Sequence, residues 1–184
     1  MAKGILSLFA AVIACYLMIL YPLGASYQQQ EQLAYMLAYS SVTGFVDAVR
    51  DKGLITPVMV NELNGQLART GHVFDIEMEH GVKKYNPVYT DPADAGTFQA
   101  RFEVYYDWHY TDDLNRILFP DTAAPLTDPD RIYYLKAGDM FRIVAKNVNQ
   151  TNGALIRGFL TRSLPDDMAR IYIPYGGMVR NEDY

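Results

Sequence analysis

The sequence carries no charged residue from Gly4 to Gln30, although charged residues make up 20% of the 184-residue chain. A bilayer core of ~30 Å needs about 20 apolar residues when they form a helix, and the stretch from Ile5 to Ala25 meets that length. Lys3 precedes the stretch, and the next charged residue is Glu31. The positive-inside rule therefore predicts an N-terminus inside the cell and the remainder of the chain outside it.

Three interpretations of the apolar segment compete. Gly24 and Ser26 are small enough for the cleavage site of a secretory signal, and Cys15 ends a sequence that resembles the lipobox of a lipoprotein. However, the apolar run is longer than the roughly 7–15 residues of a signal peptide. It also continues for five apolar residues beyond Cys15, where a lipoprotein would turn polar. We therefore expect a retained, membrane-spanning helix, in which Cys15 is a small apolar residue.

A helical pattern continues beyond the apolar segment without a linker. The residues from Tyr27 to Gln32 include no glycine or proline, and Gly53 offers a stop signal after two basic residues. We predict one helix from Ile5 to Lys52, roughly 70 Å long and kinked at Pro22. Apolar residues recur at helical spacing in its second half. These residues are expected to pack the helix on the rest of the protein: Leu33, Met36, Leu37, Val42, Phe45, Val46 and Val49.

This layout resembles the type IV pilin superfamily, including the Tad-like pilins. In that family one N-terminal helix is apolar in its first half, kinked near a proline and amphipathic in its second half, which packs on a small sheet-rich head. The resemblance covers Ile5 to about Lys52 and is one of layout. The sequence departs from the family because its apolar segment has no early glutamate and only Lys3 precedes it.

The resemblance implies a homopolymer whose apolar half-helices bundle in the core of a cell-surface filament. It also implies a membrane-held precursor and a pilus-assembly machinery as partners. The expected filament-core and membrane residues are Ile5, Leu6, Leu8, Phe9, Val12, Ile13, Leu17, Leu20 and Pro22.

Residues 54–184 are expected to form an extracellular head, and residues 1–53 the helix. Thr56 and Pro57 are typical of a helix start, whereas residues 72–80 and 98–110 alternate as strands do. Gly81 is expected to turn the chain so that residues 82–89 return as a hairpin. A short helix over residues 155–164 and a last strand over residues 169–175, ended by two glycines, complete the prediction. The fold class is α+β, a long helix on an antiparallel sheet with short helices.

Few residues suggest site chemistry. Asp75, Glu77 and Glu79 share one strand face and are a weak candidate for a cation such as calcium, but we favour a solvated strand face. Asn149 begins an N-glycosylation pattern. The sequence contains none of the common catalytic or nucleotide-binding motifs, so neither an enzyme nor a cofactor is expected. The net charge of −5 argues against nucleic acid as the main partner.

Two functions therefore remain open. The first is a structural subunit of an extracellular filament. The second is a monomeric, membrane-anchored binding module or a minor component of a secretion machine. If the head covers the apolar face from Leu33 to Val49 and the anchor stays in lipid, a monomer suffices. We also expect the C-terminal segment from Tyr175 to Tyr184 to contact another subunit.

Overall fold

The computed structural model describes residues 2–149, 158 and 171–182. Its longest element is the helix α1 (Ala2–Lys52), which passes through Pro22 without interruption. The predicted single helix is thus confirmed, and it begins three residues earlier than expected. The kink at Pro22 stays a prediction.

Helix α1 ends at Gly53, whose φ of +68° is the left-handed conformation typical of a glycine after a helix. The N–H of Gly53 donates to the carbonyl of Val49 at 2.8 Å. A two-residue strand, β1 (Leu54–Ile55), leads to the helix α2 (Pro57–Ala68). The Thr56 hydroxyl accepts a hydrogen bond from the Met59 N–H at 3.3 Å, so the predicted helix start is confirmed.

The head is an antiparallel sheet of four strands with a small separate pair. The chain continues through β2 (Phe74–Tyr89), β3 (Phe98–Tyr110), the helix α3 (Thr111–Leu118), β4 (Tyr133–Tyr134), β5 (Met140–Asn147) and β6 (Tyr172–Met178). The order across the main sheet is β3-β2-β5-β6, and β1 pairs with β4. The predicted α+β class is confirmed.

The hydrophobic core lies between one face of α1, the helices α2 and α3, and the inner face of the sheet. Val42 and Val46 of α1 and Phe141 and Ile143 of β5 are fully buried there. The rings of Phe45 and Phe141 lie 6.3 Å apart between their centroids. Helix and sheet therefore share one core, which fixes the direction in which α1 leaves the head.

The predicted turn at Gly81 is wrong. Strand β2 runs straight through Gly81, which pairs with Trp108 of β3 and with Met140 of β5. A Cβ atom at this position would lie 3.1 Å from the Trp108 ring, so the glycine gives space to the indole. The turn of the β2–β3 hairpin instead follows Tyr89, where Asp94 caps a short 3₁₀ turn.

The last strand also continues where a stop was predicted. Strand β6 includes Gly176 and Gly177, and Gly176 pairs with Arg142. A Cβ atom at Gly176 would come within 2.7 Å of the Phe141 carbonyl oxygen, so a close strand approach requires this glycine. The predicted helix over residues 155–164 lies outside the described residues.

Candidate functional site

The first half of α1 is uncovered. Seven of the expected filament-core residues have exposed fractions between 49% and 75%: Ile5, Leu6, Leu8, Phe9, Val12, Ile13 and Leu17. Pro22 is exposed as well, whereas the side chain of Leu20 lies outside the described part of the chain. Within the described residues, α1 is the one helix long and apolar enough to span a membrane, and its most apolar window has no buried residue.

The second half of α1 packs on the head over only part of the predicted face. Val42, Phe45, Val46 and Val49 are buried. The structure corrects the other three members of that face, whose exposed fractions are high: Leu33 at 59%, Met36 at 60% and Leu37 at 56%. We call these three residues the uncovered face.

Small residues explain the difference. Ala34 and Ala38 are 4% and 0% exposed, and with Val42 and Val46 they form a buried row at four-residue spacing. The last three of these residues belong to the hydrophobic core. The larger side chains at positions 33, 36 and 37 point away from that row. The row of alanines and valines at four-residue spacing is the sequence signal that would have located the buried face.

The C-terminal segment closes on the end of α1. The Arg50 carbonyl accepts a hydrogen bond from the Arg180 N–H at 2.8 Å, and the Arg50 Nε donates to the Met178 carbonyl at 3.0 Å. A Cβ atom at Gly177 would lie 2.8 Å from the Arg50 guanidinium, so this glycine lets the arginine cross β6. We call the contacts of Arg50 with residues 177–181 the clasp.

Charged side chains surround the clasp. Asp47 accepts a hydrogen bond from Arg50 Nη1 at 2.7 Å and another from the Tyr175 hydroxyl at 3.4 Å. Arg180 donates to Asp51 at 2.9 Å. The segment from Tyr175 to Glu182 is therefore held by its own chain, and its contact with another subunit stays a prediction.

A buried imidazole lies between a phenol and a carboxylate. His80 Nε2 is 3.0 Å from Asp139 Oδ2, and His80 Nδ1 is 2.8 Å from the Tyr133 hydroxyl. A carboxylate only accepts, so we assign the His80 proton to Nε2, and the Tyr133 hydroxyl then donates to Nδ1. Burial lowers the pKa of His80 even though the Asp139 carboxylate opposes this shift. Burial likewise raises the pKa of Tyr133 to about 12.

This arrangement joins strands β2 and β4 to the loop before β5. Asp139 also accepts hydrogen bonds from the backbone N–H groups of Lys83 and Lys136, at 2.8 and 2.9 Å. The side chains of His80 and Asp139 are 3% and 4% exposed, so both groups are shielded from solvent. Sequence reasoning gave His80 no role. Neither Tyr133 nor Asp139 was found, because both come from other strands and loops.

The acidic row on β2 holds ion pairs. Glu77 Oε1 accepts from Lys146 Nζ at 2.7 Å, and Glu79 Oε2 accepts from Arg142 Nε at 2.8 Å. Asp75 lies opposite Lys146 in the register of β2 and β5. Basic side chains thus occupy two of the three carboxylates of the candidate cation site. Within the described ranges, no group of three or more His, Cys, Asp or Glu residues is placed to hold a metal ion.

Asn149 has a structural role at the end of β5. Its side-chain oxygen accepts hydrogen bonds from the Val73 N–H at 2.8 Å and from Asn147 Nδ2 at 2.9 Å. The rest of the glycosylation pattern, Gln150 and Thr151, lies outside the described residues. Modification of Asn149 stays a prediction.

An aromatic arm extends from the sheet. Beyond Gly81, β2 pairs with β3 alone, so residues 82–89 and 98–107 form a two-stranded projection that we call the arm. One face of the arm carries large exposed side chains: Tyr85 at 60%, Phe98 at 40%, Phe102 at 58% and Val104 at 48%. The rings of Phe98 and Phe102 are 5.4 Å apart. Several of the chain's 15 tyrosines lie here or along α1.

Comparisons with known proteins assign no family. No family model, no curated protein and no solved structure matches this chain. The described residues leave three apolar surfaces exposed. They are the first half of α1, the uncovered face and the arm.

Proposed function

We propose that this chain is a pilin-like structural subunit of an extracellular filament. In this proposal the first half of α1 holds the subunit in the membrane, with its N-terminus inside, until it joins the polymer. The same half-helices then bundle in the filament core, and the heads lie outside. The observation that carries the proposal is the uncovered face, which neither the head nor a membrane would bury.

The position of the uncovered face supports this argument. The apolar segment ends near Ala25, and Leu33 follows eight residues later on the same helix. At 1.5 Å per residue, Leu33 would stand about 12 Å beyond the end of the membrane-spanning segment. A lone anchored protein would leave Leu33, Met36 and Leu37 in water, whereas a neighbouring helix would cover them.

The uncovered face also supplies a driving force. Lipid tails are about as apolar as a filament core, so moving Ile5 or Phe9 between them yields little hydrophobic free energy. Leu33, Met36 and Leu37 instead leave water only when subunits associate. Burying a side chain of this kind fully is worth about 1.5–3 kcal/mol. These three residues should therefore bias the subunit from the membrane towards the polymer.

The continuity of α1 is the second support. A plain membrane anchor is usually joined to its domain by a flexible linker. Here the residues that could span a membrane and the residues packed on the sheet belong to one helix. A rigid connection gives every head the same position relative to its apolar half, which a helical polymer requires.

The test is electron microscopy of material sheared from the surface of cells that express the chain, labelled with an antibody to the head. Fibres carrying the label are expected. Leu37→Asp should leave the head folded and remove the fibres, because it puts a charge on the uncovered face. Asn64→Asp, an exposed position on α2, adds the same charge elsewhere and should leave the fibres intact.

Other outcomes would contradict the proposal. Label found only in the membrane fraction would favour the anchored binding module. Normal fibres from Leu37→Asp would show that assembly does not depend on the uncovered face. Val42→Asp places the same charge in the core, so its loss of folding provides the reference against which a folded Leu37→Asp head is judged.

A further inference from the structure

We propose that the free edge of β3 pairs antiparallel with the β3 strand of a second copy of this chain. Strand β3 is 13 residues long and lies at the edge of the sheet, with β2 on one side only. Eleven of its residues are exposed, and the other two are half-buried. Its outer backbone groups thus form a ready template for another strand.

Strand β3 has few of the features that protect a natural edge. Edge strands are usually short, or they carry lysine, proline or charges that point towards the core. The β3 sequence contains neither lysine nor proline. One irregularity occurs near its start, where Ala100 has a φ of +54°. From Arg101 to Tyr110 the strand is regular and open.

The charge pattern of β3 favours a second copy of this chain as the partner strand. When all 13 residues of β3 pair antiparallel with the same strand, Val104 lies opposite the partner's Val104. In that register Arg101 lies opposite the partner's Asp107, and the two-fold symmetry makes this ion pair twice. Opposite charges directly across an antiparallel pair are stabilising. Among the described residues Arg101 forms no ion pair, whereas Asp107 already accepts from Lys84.

The neighbouring registers are disfavoured by the same charges. A shift of two residues in one direction places Glu103 opposite the partner's Glu103. A shift of two in the other direction places Glu103 opposite the partner's Asp107. Both shifts put like charges across the pair. A shift of one residue would place the aromatic face of one copy beside the polar face of the other.

Pairing would also stabilise the arm. A two-stranded ribbon with both faces in water is marginally stable, and three or more strands with a shared apolar face are much more stable. Two paired arms form four strands. Phe102 then lies opposite the partner's Tyr106, and both belong to the aromatic face. The contact is the same on both copies, so it closes at two and does not by itself build a filament. The proposal is therefore independent of the proposed function.

Disulfide formation tests the register. Cys15 is the only native cysteine, so every variant carries Cys15→Ala. In the proposed register, the Cα atoms of residue 104 in the two copies are about 4.5–5.5 Å apart, within the range of a disulfide. Val104→Cys in the full chain, in membranes under mild oxidation, should give a cross-linked dimer. Phe102→Cys is the matched control, because its two copies would lie about 13 Å apart. Adding Tyr106→Cys to that control should restore the cross-link.

A charge swap tests whether the partner strand comes from a second copy of this chain. Arg101→Asp turns both ion pairs into repulsive pairs and should weaken Val104→Cys cross-linking about tenfold. Adding Asp107→Arg restores opposite charges and should recover the cross-link, although it also removes the Lys84 pair within one copy. Three results would overturn the proposal. The first is equal cross-linking at positions 102 and 104, and the second is no cross-link at position 104 in a head that resists protease. The third is no recovery of the cross-link when Asp107→Arg is added to Arg101→Asp. A head that captures a different protein at β3 without dimer cross-links would also overturn it.

Discussion

The Arg50 carbonyl at the end of the first helix accepts a hydrogen bond from the Arg180 N–H, beyond the last strand, at 2.8 Å. The last carbonyls of a helix have no partner within the helix itself. Here one of them is satisfied by a segment from the far end of the described chain. The head therefore holds its helix by a contact between distant parts of the sequence, and a fold that depends on such contacts folds more slowly.

Gly53 should be essential to the clasp. A Cβ atom at Gly53 would lie 2.6 Å from the Asn181 carbonyl oxygen, and its φ is +68°. Gly71 has a similar φ of +77° with no atom within 4 Å of that position. Gly71→Ala should cost about 1 kcal/mol of the free energy of unfolding through backbone strain alone. Gly53→Ala should cost about 2–4 kcal/mol, because the clasp must also open. Urea denaturation of the detergent-solubilised chain measures both, and equal costs would contradict this account.

The same substitution at two positions of α1 should have different effects on the stability of the head. Phe45 is 8% exposed, and its ring contacts Phe141 in the core. Phe45→Ala should lower the free energy of unfolding by about 3–5 kcal/mol. Phe9 is 67% exposed, so Phe9→Ala should leave the stability of the head unchanged. Urea denaturation of the two variants measures both effects, and the two midpoints are compared with that of the native chain. A large loss of stability for Phe9→Ala would show that the first half of α1 contacts the head.

His80 should make the stability of the head depend on pH. Burial holds the pKa of His80 below its usual 6.5 in the folded chain. At pH values between the pKa of His80 in the folded chain and its pKa in the unfolded chain, the unfolded chain binds more protons. The contribution of His80 to the free energy of unfolding is therefore fully present above pH 6.5 and is lost as the pH falls through the lower pKa of the folded chain. The maximum slope from one group is about 1.4 kcal/mol per pH unit. His109 lies 6.1 Å from His80 between ring centroids, and its positive charge would further oppose protonation of His80.

Urea titrations between pH 7.5 and 5.5 test this effect against His80→Gln. Glutamine can still accept from Tyr133 and donate to Asp139, but it does not titrate. The variant should lose most of the slope over this interval. An identical slope in the two proteins would assign the pH dependence to other groups.

Lys3 should set the orientation of the apolar helix. It is the nearest charged residue on the N-terminal side of the stretch that could span a membrane. Lys3→Glu removes the positive charge that favours the inside. We expect less protease-accessible head on intact cells and fewer assembled subunits. Lys3→Arg is the matched control and should behave like the native chain. Normal orientation and normal fibres from Lys3→Glu would contradict the assigned role.

The sequence was sufficient where local chemistry decides the structure. The uncharged run, the amphipathic continuation and the Thr56–Pro57 start correctly predicted two helices, and alternation correctly located strands. Each of these signals depends on neighbours within one or two turns. They predicted the fold class for the same reason.

Prediction failed where distant residues decide the structure. Gly81 reads as a turn, but its role is to make room for Trp108 on the next strand. Gly176 reads as a stop, but it allows close approach to β5. The assignment of Leu33, Met36 and Leu37 to the head failed because the buried row on this part of the helix runs through Ala34 and Ala38 instead. The network of His80, Tyr133 and Asp139 joins three separate segments, which no local pattern indicates.

The length of α1 gives the molecule the mechanics of a lever. With 51 residues at 1.5 Å each, the helix is about 76 Å long. If the helix tilts by about 5° at its N-terminal end, its C-terminal end moves by about 7 Å. Because the clasp and the core fix that end to the sheet, the head follows the motion. In the proposed filament, a slight change in how the N-terminal ends of the helices pack would therefore be amplified into a large change in the spacing of the heads.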